Sequence, residues 1–185
     1  MDWNTNFNFR QVVEFQQKVI QERVVQTREQ IYPYTGESRS GAQMHQGFAT
    51  AYLSVREKIH DYLKNHAASS VTITGHSLGG ALATLCAVDV QYNFPNVAIS
   101  IYTFGAPRVG NAGFRDSFNR RVPSTYRFVY GMDIVPALPR PWQGHQHVDT
   151  AYRLGPRFSL NFLSRRFQDH KIANYITALK ELTQR

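Results

Sequence analysis

The segment Gly75-His76-Ser77-Leu78-Gly79-Gly80 places a serine between glycines two residues before and two residues after it, in the G-x-S-x-G pattern. A serine in that setting can act as the nucleophile of an acyl transfer. The pentapeptide alone is modest support, and its flanks raise it. The β-branched run Val71-Thr72-Ile73-Thr74 leads in and an apolar stretch from Leu78 to Val90 leads out, which is the strand–turn–helix setting the pattern requires. Such a turn holds the serine in a strained conformation with its Oγ exposed. Gly75 and Gly79 are expected to be there because a Cβ at either would collide across the turn. Gly80, Ala81 and Ala83 let the helix lie close to the sheet. His76 fills the remaining place in the turn. Leu78, at the helix amino terminus, offers a backbone N–H to a developing oxyanion.

A serine hydroxyl is a poor nucleophile until a base takes its proton, and the base needs an acid to orient it. In elbows of this kind the chain order is Ser, then Asp or Glu, then His. Order removes His45, His60, His66 and His76 and leaves His145, His147 and His170. Asp133, just past a strand at 125–130, stands where the carboxyl ends of parallel strands build sites. We read it as the acid; its competing reading is a turn-former or helix cap. Asp116 is expected on a solvated helix, and Asp149 and Asp169 come late in the chain. His170, entering the last helix in Asp169-His170-Lys171, is read as the base. His147 is its rival and His145 a weaker one, both in Trp142-Gln-Gly-His-Gln-His147.

The elements that must position these groups follow from periodicity. Phe48, Tyr52, Val55, Ile59 and Leu63 recur at helical spacing and predict a helix to about Asn65. Leu78–Val90 is apolar on most of its surface, which predicts deep burial. Val97–Phe104 and Thr125–Tyr130 read as strands, with a loop Gly105–Asn111 and a short helix at 111–119 between them. Residues 147–153 alternate weakly and read as a hairpin strand. Ile172, Ile176, Leu179 and Leu182 mark a final helix. Residues 1–44 are the least readable, with a weak lean to strands. Strands alternating with helices predict one α/β domain over 1–185, a mostly parallel sheet covered on both faces.

The 185 residues suffice for one domain with a real core, and 42% apolar with 13% aromatic residues is a globular balance. A single cysteine, Cys86, allows no internal disulfide. No apolar run approaches the roughly 20 residues of a transmembrane helix. No basic-then-apolar leader is present at the start, so a cytoplasmic location is expected. The net charge is +8. No nucleic-acid recognition motif accompanies that charge, so it is read first as a solvated basic face and second as attraction to an anionic lipid interface. The densest basic cluster is Arg165-Arg166, with Arg157 nearby.

Several motifs in order resemble the class 3 (fungal-type) lipases of the α/β-hydrolase superfamily: MHQGFATAY at 44–52, VTITGHSLGGALATL around Ser77, YTFGAPRVGN at 102–111, YGMDIVPALP at 130–139, HVDTAYRL at 147–154 and DHKIANYI at 169–176. The resemblance covers about 45–182. It implies a Ser77–Asp133–His170 triad, a non-catalytic His147, and hydrolysis of lipid esters without metal or cofactor. Members of that family carry an earlier strand ending in a phrase like FRGT, which supplies a first oxyanion donor. This sequence has no such phrase, so it is expected to lack that strand. Loss of one donor costs on the order of 100–1000-fold in rate, and loss of central strands leaves an open sheet edge. Alternative readings are a catalytically impaired lipase-like binding or interaction protein, or a phospholipase A1 or feruloyl-type esterase. Acyl length and oligomeric state are not readable from the sequence.

Overall fold

The computed structural model describes residues 29–31, 41–156 and 166–184. The readings made above for 1–28 and 32–40, and for Arg157 and Arg165, lie outside the described residues. In chain order the elements are β1 (Glu29–Ile31), β2 (Gln43–His45), α1 (Gln46–His66), β3 (Ser70–His76), α2 (Leu78–Asn93), β4 (Ala98–Phe104), α3 (Ala112–Arg121), β5 (Thr125–Tyr130), β6 (Ala151–Leu154) and α4 (Ile172–Thr183). β1 and β2 form a small antiparallel pair. β3–β4–β5–β6 form a four-stranded sheet in that order, parallel throughout.

Local chemistry explains the boundaries. His45 caps α1, its Nδ1 accepting from Gly47 N–H at 3.2 Å. Asn111 caps α3: its Oδ1 accepts from Phe114 N–H at 2.9 Å and from Gln43 N–H at 3.0 Å, which also ties β2 to that helix. α2 buries nine residues from Gly80 to Val90, as its apolar circumference requires. The carboxylate among them, Asp89, is fully buried. It is satisfied by Tyr52 Oη, Arg56 Nε, His60 Nε2 and Asn93 Nδ2, so a charged network as well as apolar contact docks α1 on α2.

Residues alternate between the two faces of the sheet. In β5, Thr125, Arg127 and Val129 are buried while Tyr126, Phe128 and Tyr130 are half-buried. One face packs Ile73, Ile99 and Ile101 against Phe48 and Tyr52 of α1, Leu85 of α2 and Phe114 and Phe118 of α3. The other carries a ladder of rings in register, Tyr102 on Tyr126 at 4.7 Å and Phe104 on Phe128 at 5.3 Å, with Tyr152 beside Phe128. At the carboxyl end of this ladder Tyr175 of α4 meets Phe104 and Tyr130. Helices therefore lie on both faces, α1, α2 and α3 across one and α4 at the carboxyl end of the other, where Thr72, Thr74 and Tyr152 stay exposed.

One expectation needs correction. Residues 147–153 do not make a hairpin strand. β6 runs parallel to β5, in register Arg127↔Ala151 to Tyr130↔Leu154, and a parallel neighbour needs a long crossover, which residues 131–150 supply. The last helix forms as expected, and its apolar stripe does not face the core. Ile172, Ile176 and Leu182 are exposed, and the fully buried residue of α4 is Tyr175.

Candidate active site

The carboxyl ends of β3, β4 and β5 lead directly into Ser77, Gly105 and the turn Gly131–Asp133. Ser77 sits between β3 and α2 with φ 57 and ψ −127, a conformation that costs a non-glycine residue on the order of 1–3 kcal/mol and is held only when its surroundings fix it. Its N–H donates to Phe104 O at 2.9 Å, and its carbonyl accepts from Gly80 N–H and Ala81 N–H. Gly75 is required: a Cβ there would stand 2.2 Å from Gly79 O. Gly80 is required by Ala106, whose Cβ would be 2.7 Å away. Gly79 departs from expectation, since nothing lies within 4 Å of a Cβ at that position. The crowding across the elbow is thus one-sided. It comes from the backbone of Gly79 pressing on Gly75.

Ser77, His170 and Asp133 form one hydrogen-bonded chain. His170 Nδ1 lies 2.8 and 3.0 Å from the two Asp133 carboxylate oxygens, and its Nε2 lies 2.7 Å from Ser77 Oγ. A carboxylate can only accept, so Nδ1 carries the proton and donates it to Asp133. Nε2 then has a free lone pair, and Ser77 Oγ–H donates to it. Asp133 and His170 are buried and Ser77 is half-buried, so the oxygen at the end of the chain is the reachable atom. Asp133 also accepts from Val135 N–H at 2.9 Å and from the Tyr175 hydroxyl. Burial, then the charge of Asp133, holds the Tyr175 phenol well above its ordinary range, so it stays a donor.

His170 is fixed from two further sides. His76 Nε2–H donates to the His170 backbone carbonyl at 2.8 Å, and its ring stacks on the His170 ring with centroids 4.6 Å apart. Burial first, then the neighbouring His170, lowers the His76 pKa, which favours the neutral His76 ring. Asp169 Oδ2 accepts from Met132 N–H at 2.8 Å, tying the loop of His170 to the loop of Asp133. Leu78 is the first residue of α2, so its N–H is among those a helix leaves without an intrahelical partner.

The family described as Lipase (class 3) matches residues 3–142. The chain belongs to the class 3 lipase family. The match takes in Ser77 and Asp133, and His170 lies beyond it. Among curated relatives, a chloroplastic phospholipase A(1) of Arabidopsis thaliana is 37% identical over 55% of this chain and 25% of its own. A secreted mono- and diacylglycerol lipase of Fusarium solani is 32% identical over 83% of this chain and 40% of its own. The chain thus spans less than half the length of either. A solved structure described as showing that a serine protease triad forms the catalytic centre of a triacylglycerol lipase matches with a TM-score of 0.64. It is 30% identical over 75% of this chain and 52% of that one. The fold of this family member is therefore the α/β-hydrolase fold.

The remaining candidates lie elsewhere. His147 Nε2–H donates to Pro136 O at 2.6 Å, and burial, then the charge of Arg127, pushes its pKa down to about 3. His145 Nδ1 bonds Gln143 O. Asp116 is exposed on α3 beside Arg115, as expected, and Asp149 Oδ1 accepts from Thr150 N–H. Two residues at the centre of the site were not singled out from the sequence. Gly105, at φ +58, would place a Cβ 2.6 Å from Asp133 Oδ2 and 3.1 Å from His170 Nδ1, and its only sequence signal is its place right after a strand. Tyr175 had no signal beyond an aromatic ring off the apolar stripe. An open apolar groove of about 500 Å³ lined by Val55, Ile59, Leu63, Cys86 and Val90 also touches Ser70 and Val71 at the amino end of β3. That is the end away from Ser77. Among the described residues no helix is long and apolar enough to cross a membrane.

Proposed function

We propose that the protein hydrolyses carboxylic esters of lipids, with Ser77 as nucleophile, His170 as base and Asp133 as the acid that orients it. His170 Nε2 takes the Ser77 proton as Oγ attacks the ester carbonyl. The Leu78 N–H at the start of α2 faces the developing oxyanion. The imidazolium, supported by Asp133, passes its proton to the departing alcohol as the carbonyl re-forms, leaving an acyl-Ser77. Water then attacks the acyl group with His170 again as base, releasing the acid and restoring the hydroxyl. The observation that carries this reading is the 2.7 Å contact between His170 Nε2 and Ser77 Oγ, together with the carboxylate behind the ring. Family membership supports the substrate class. The relatives include a mono- and diacylglycerol lipase and a phospholipase A(1), and we read acylglycerols as the first substrate to test.

The test is hydrolysis of p-nitrophenyl esters of graded acyl length, followed by mono- and diacylglycerol and phospholipid, by wild type beside Ser77→Ala. Activity that rises with acyl length and vanishes in the variant is expected. Wild-type rates no higher than those of Ser77→Ala would mean a binding protein rather than an esterase. Activity that survives in His170→Ala but is lost in His147→Ala would move the base to the other histidine.

A further inference from the structure

The connection from Asp133 to β6 contains a turn that the chemistry at Ser77 leaves unused. Arg140 and Trp142 lie in Pro139-Arg140-Pro141-Trp142-Gln143-Gly144. Two prolines fix φ on either side of Arg140. A 3-10 turn over Pro141–Gln143 is closed by Gln143 N–H to Arg140 O at 2.9 Å and Gly144 N–H to Pro141 O at 3.0 Å. The Gln143 side chain reaches back to Arg140 N–H at 2.7 Å. The frame is rigid, yet it presents Trp142 to water at 78% exposure, ahead of the next large apolar side chain among the described residues, Tyr62 at 60%. A stiff turn that holds a tryptophan outward has its ordering entropy already spent. The Arg140 guanidinium lies over the ring, 5.3 Å from its centroid.

The charge along the chain of this turn has one sign. Residues 134–148 contain no Asp or Glu. Arg108 donates to Pro139 O at 2.8 Å, directly behind the turn. Burial, then Arg140, lowers its pKa. Arg127 is pushed down to about 10, first by burial and then by Arg153 and Arg108, with Asp149 acting against them. Four arginines therefore feel one another across β5, β6 and two loops. An amphipathic ring held at the surface beside the Arg140 guanidinium, with further arginines behind it, matches the headgroup level of a membrane bearing anionic lipid.

We propose that the Arg140–Trp142 turn docks the protein on anionic lipid surfaces, Trp142 entering the headgroup–acyl boundary while Arg140, backed by Arg108, holds the anionic headgroups. The turn belongs to the connection that begins at Asp133, so the docked element is continuous with the site. The proposal rests on the lipid-ester reading only in taking the docked surface as the one that carries substrate; the docking itself is read from the turn. Trp142 and Arg140 contact none of Ser77, His170 and Asp133 in the bonds described above, and their replacement leaves the chemistry in place.

The experiment is co-sedimentation of Ser77→Ala protein with vesicles of phosphatidylcholine alone or mixed with phosphatidylglycerol, so that no lipid is consumed. Binding to the mixed vesicles is expected, weak on phosphatidylcholine and falling as salt rises. Adding Trp142→Ala should lower the partition coefficient roughly tenfold or more, and Arg140→Gln about fivefold, the equivalent of about 1 kcal/mol. With Ser77 intact, both variants should hydrolyse a soluble short-chain p-nitrophenyl ester at the wild-type rate, which also certifies their fold. Equal binding to both vesicle types, or Trp142→Ala binding as well as its parent, overturns the proposal. Loss of esterase activity in wild type with Trp142-dependent binding retained would sink the functional reading and leave the docking surface standing.

Discussion

Gly105→Ala separates an assembled catalytic site from a merely adjacent set of side chains. The Cβ it adds lies 2.6 Å from Asp133 Oδ2, 2.9 Å from the Tyr175 hydroxyl and 3.1 Å from His170 Nδ1. Restoring the 3.4 Å of ordinary contact moves the carboxylate back by about 0.8 Å, and the His170 Nδ1–Oδ2 bond starts at 2.8 Å. A misplacement of about 1 Å at a reacting constellation costs on the order of 100-fold in rate. The positive φ of +58 adds conformational strain for alanine, about 1–2 kcal/mol. The matched control is Gly79→Ala. There the Cβ meets nothing within 4 Å, and alanine in the first turn of α2 stabilises by up to about 1 kcal/mol. The assay is kcat/KM on a soluble ester, paired with urea unfolding of both variants. A fall of about 100-fold in Gly105→Ala beside unchanged activity in Gly79→Ala is expected. If Gly105→Ala is folded and keeps a third or more of wild-type kcat/KM, then the geometry around Asp133 does not govern the reaction, and the reasoning fails.

Tyr175→Phe removes one hydroxyl donor from the buried Asp133 carboxylate. A bond to a charged group contributes about 1.5–3 kcal/mol, so both kcat and unfolding free energy should drop, by roughly tenfold or more and by that amount respectively; unchanged values in both would show that the bond does not matter. His147 titrates near 6.5 when unfolded and near 3 when folded, so the neutral ring stabilises the fold above pH 6.5 and that stability is lost as pH falls toward 3. About 2 kcal/mol should go between pH 6.5 and pH 5, and urea unfolding of His147→Gln, whose amide can still donate to Pro136 O, should show a shallower loss over that range; identical slopes would contradict the assignment. Burial pushes the Cys86 thiol up to about 11, which lowers its thiolate fraction about 100-fold. Iodoacetamide at mildly alkaline pH should therefore label it slowly when folded and rapidly in urea, and rapid labelling of the folded protein would refute the burial.

What the sequence disclosed was mostly local. Ser77 was legible because its strand, turn and helix are contiguous, and the strained φ follows from that path alone. Asp133 and His170 were chosen by chain order and by position after a strand and before a helix, and the structure brings both within hydrogen-bond distance of one another. Gly105 and Tyr175 stayed hidden because their roles come from residues 28 and 42 positions away, Asp133 in both cases. The last helix was legible from its apolar repeat, but its packed side was not, because the carboxylate and the aromatic ladder draw Tyr175 inward and leave Ile172 and Ile176 exposed. β6 was assigned to a hairpin because alternation reports a strand but not the direction of its partner. Gly79 shows the limit of reading by symmetry, since the two glycines of the motif meet different surroundings.

The most direct test of the central claim is active-site trapping. A fluorophosphonate reacts with a serine only where a neighbouring base activates it and the oxyanion is held. Intact mass followed by peptide mapping should show one adduct per chain, on the peptide carrying Ser77, absent in Ser77→Ala and greatly slowed in His170→Ala. Failure of the wild-type protein to be labelled, or an adduct on another residue with Ser77 free, would contradict the account.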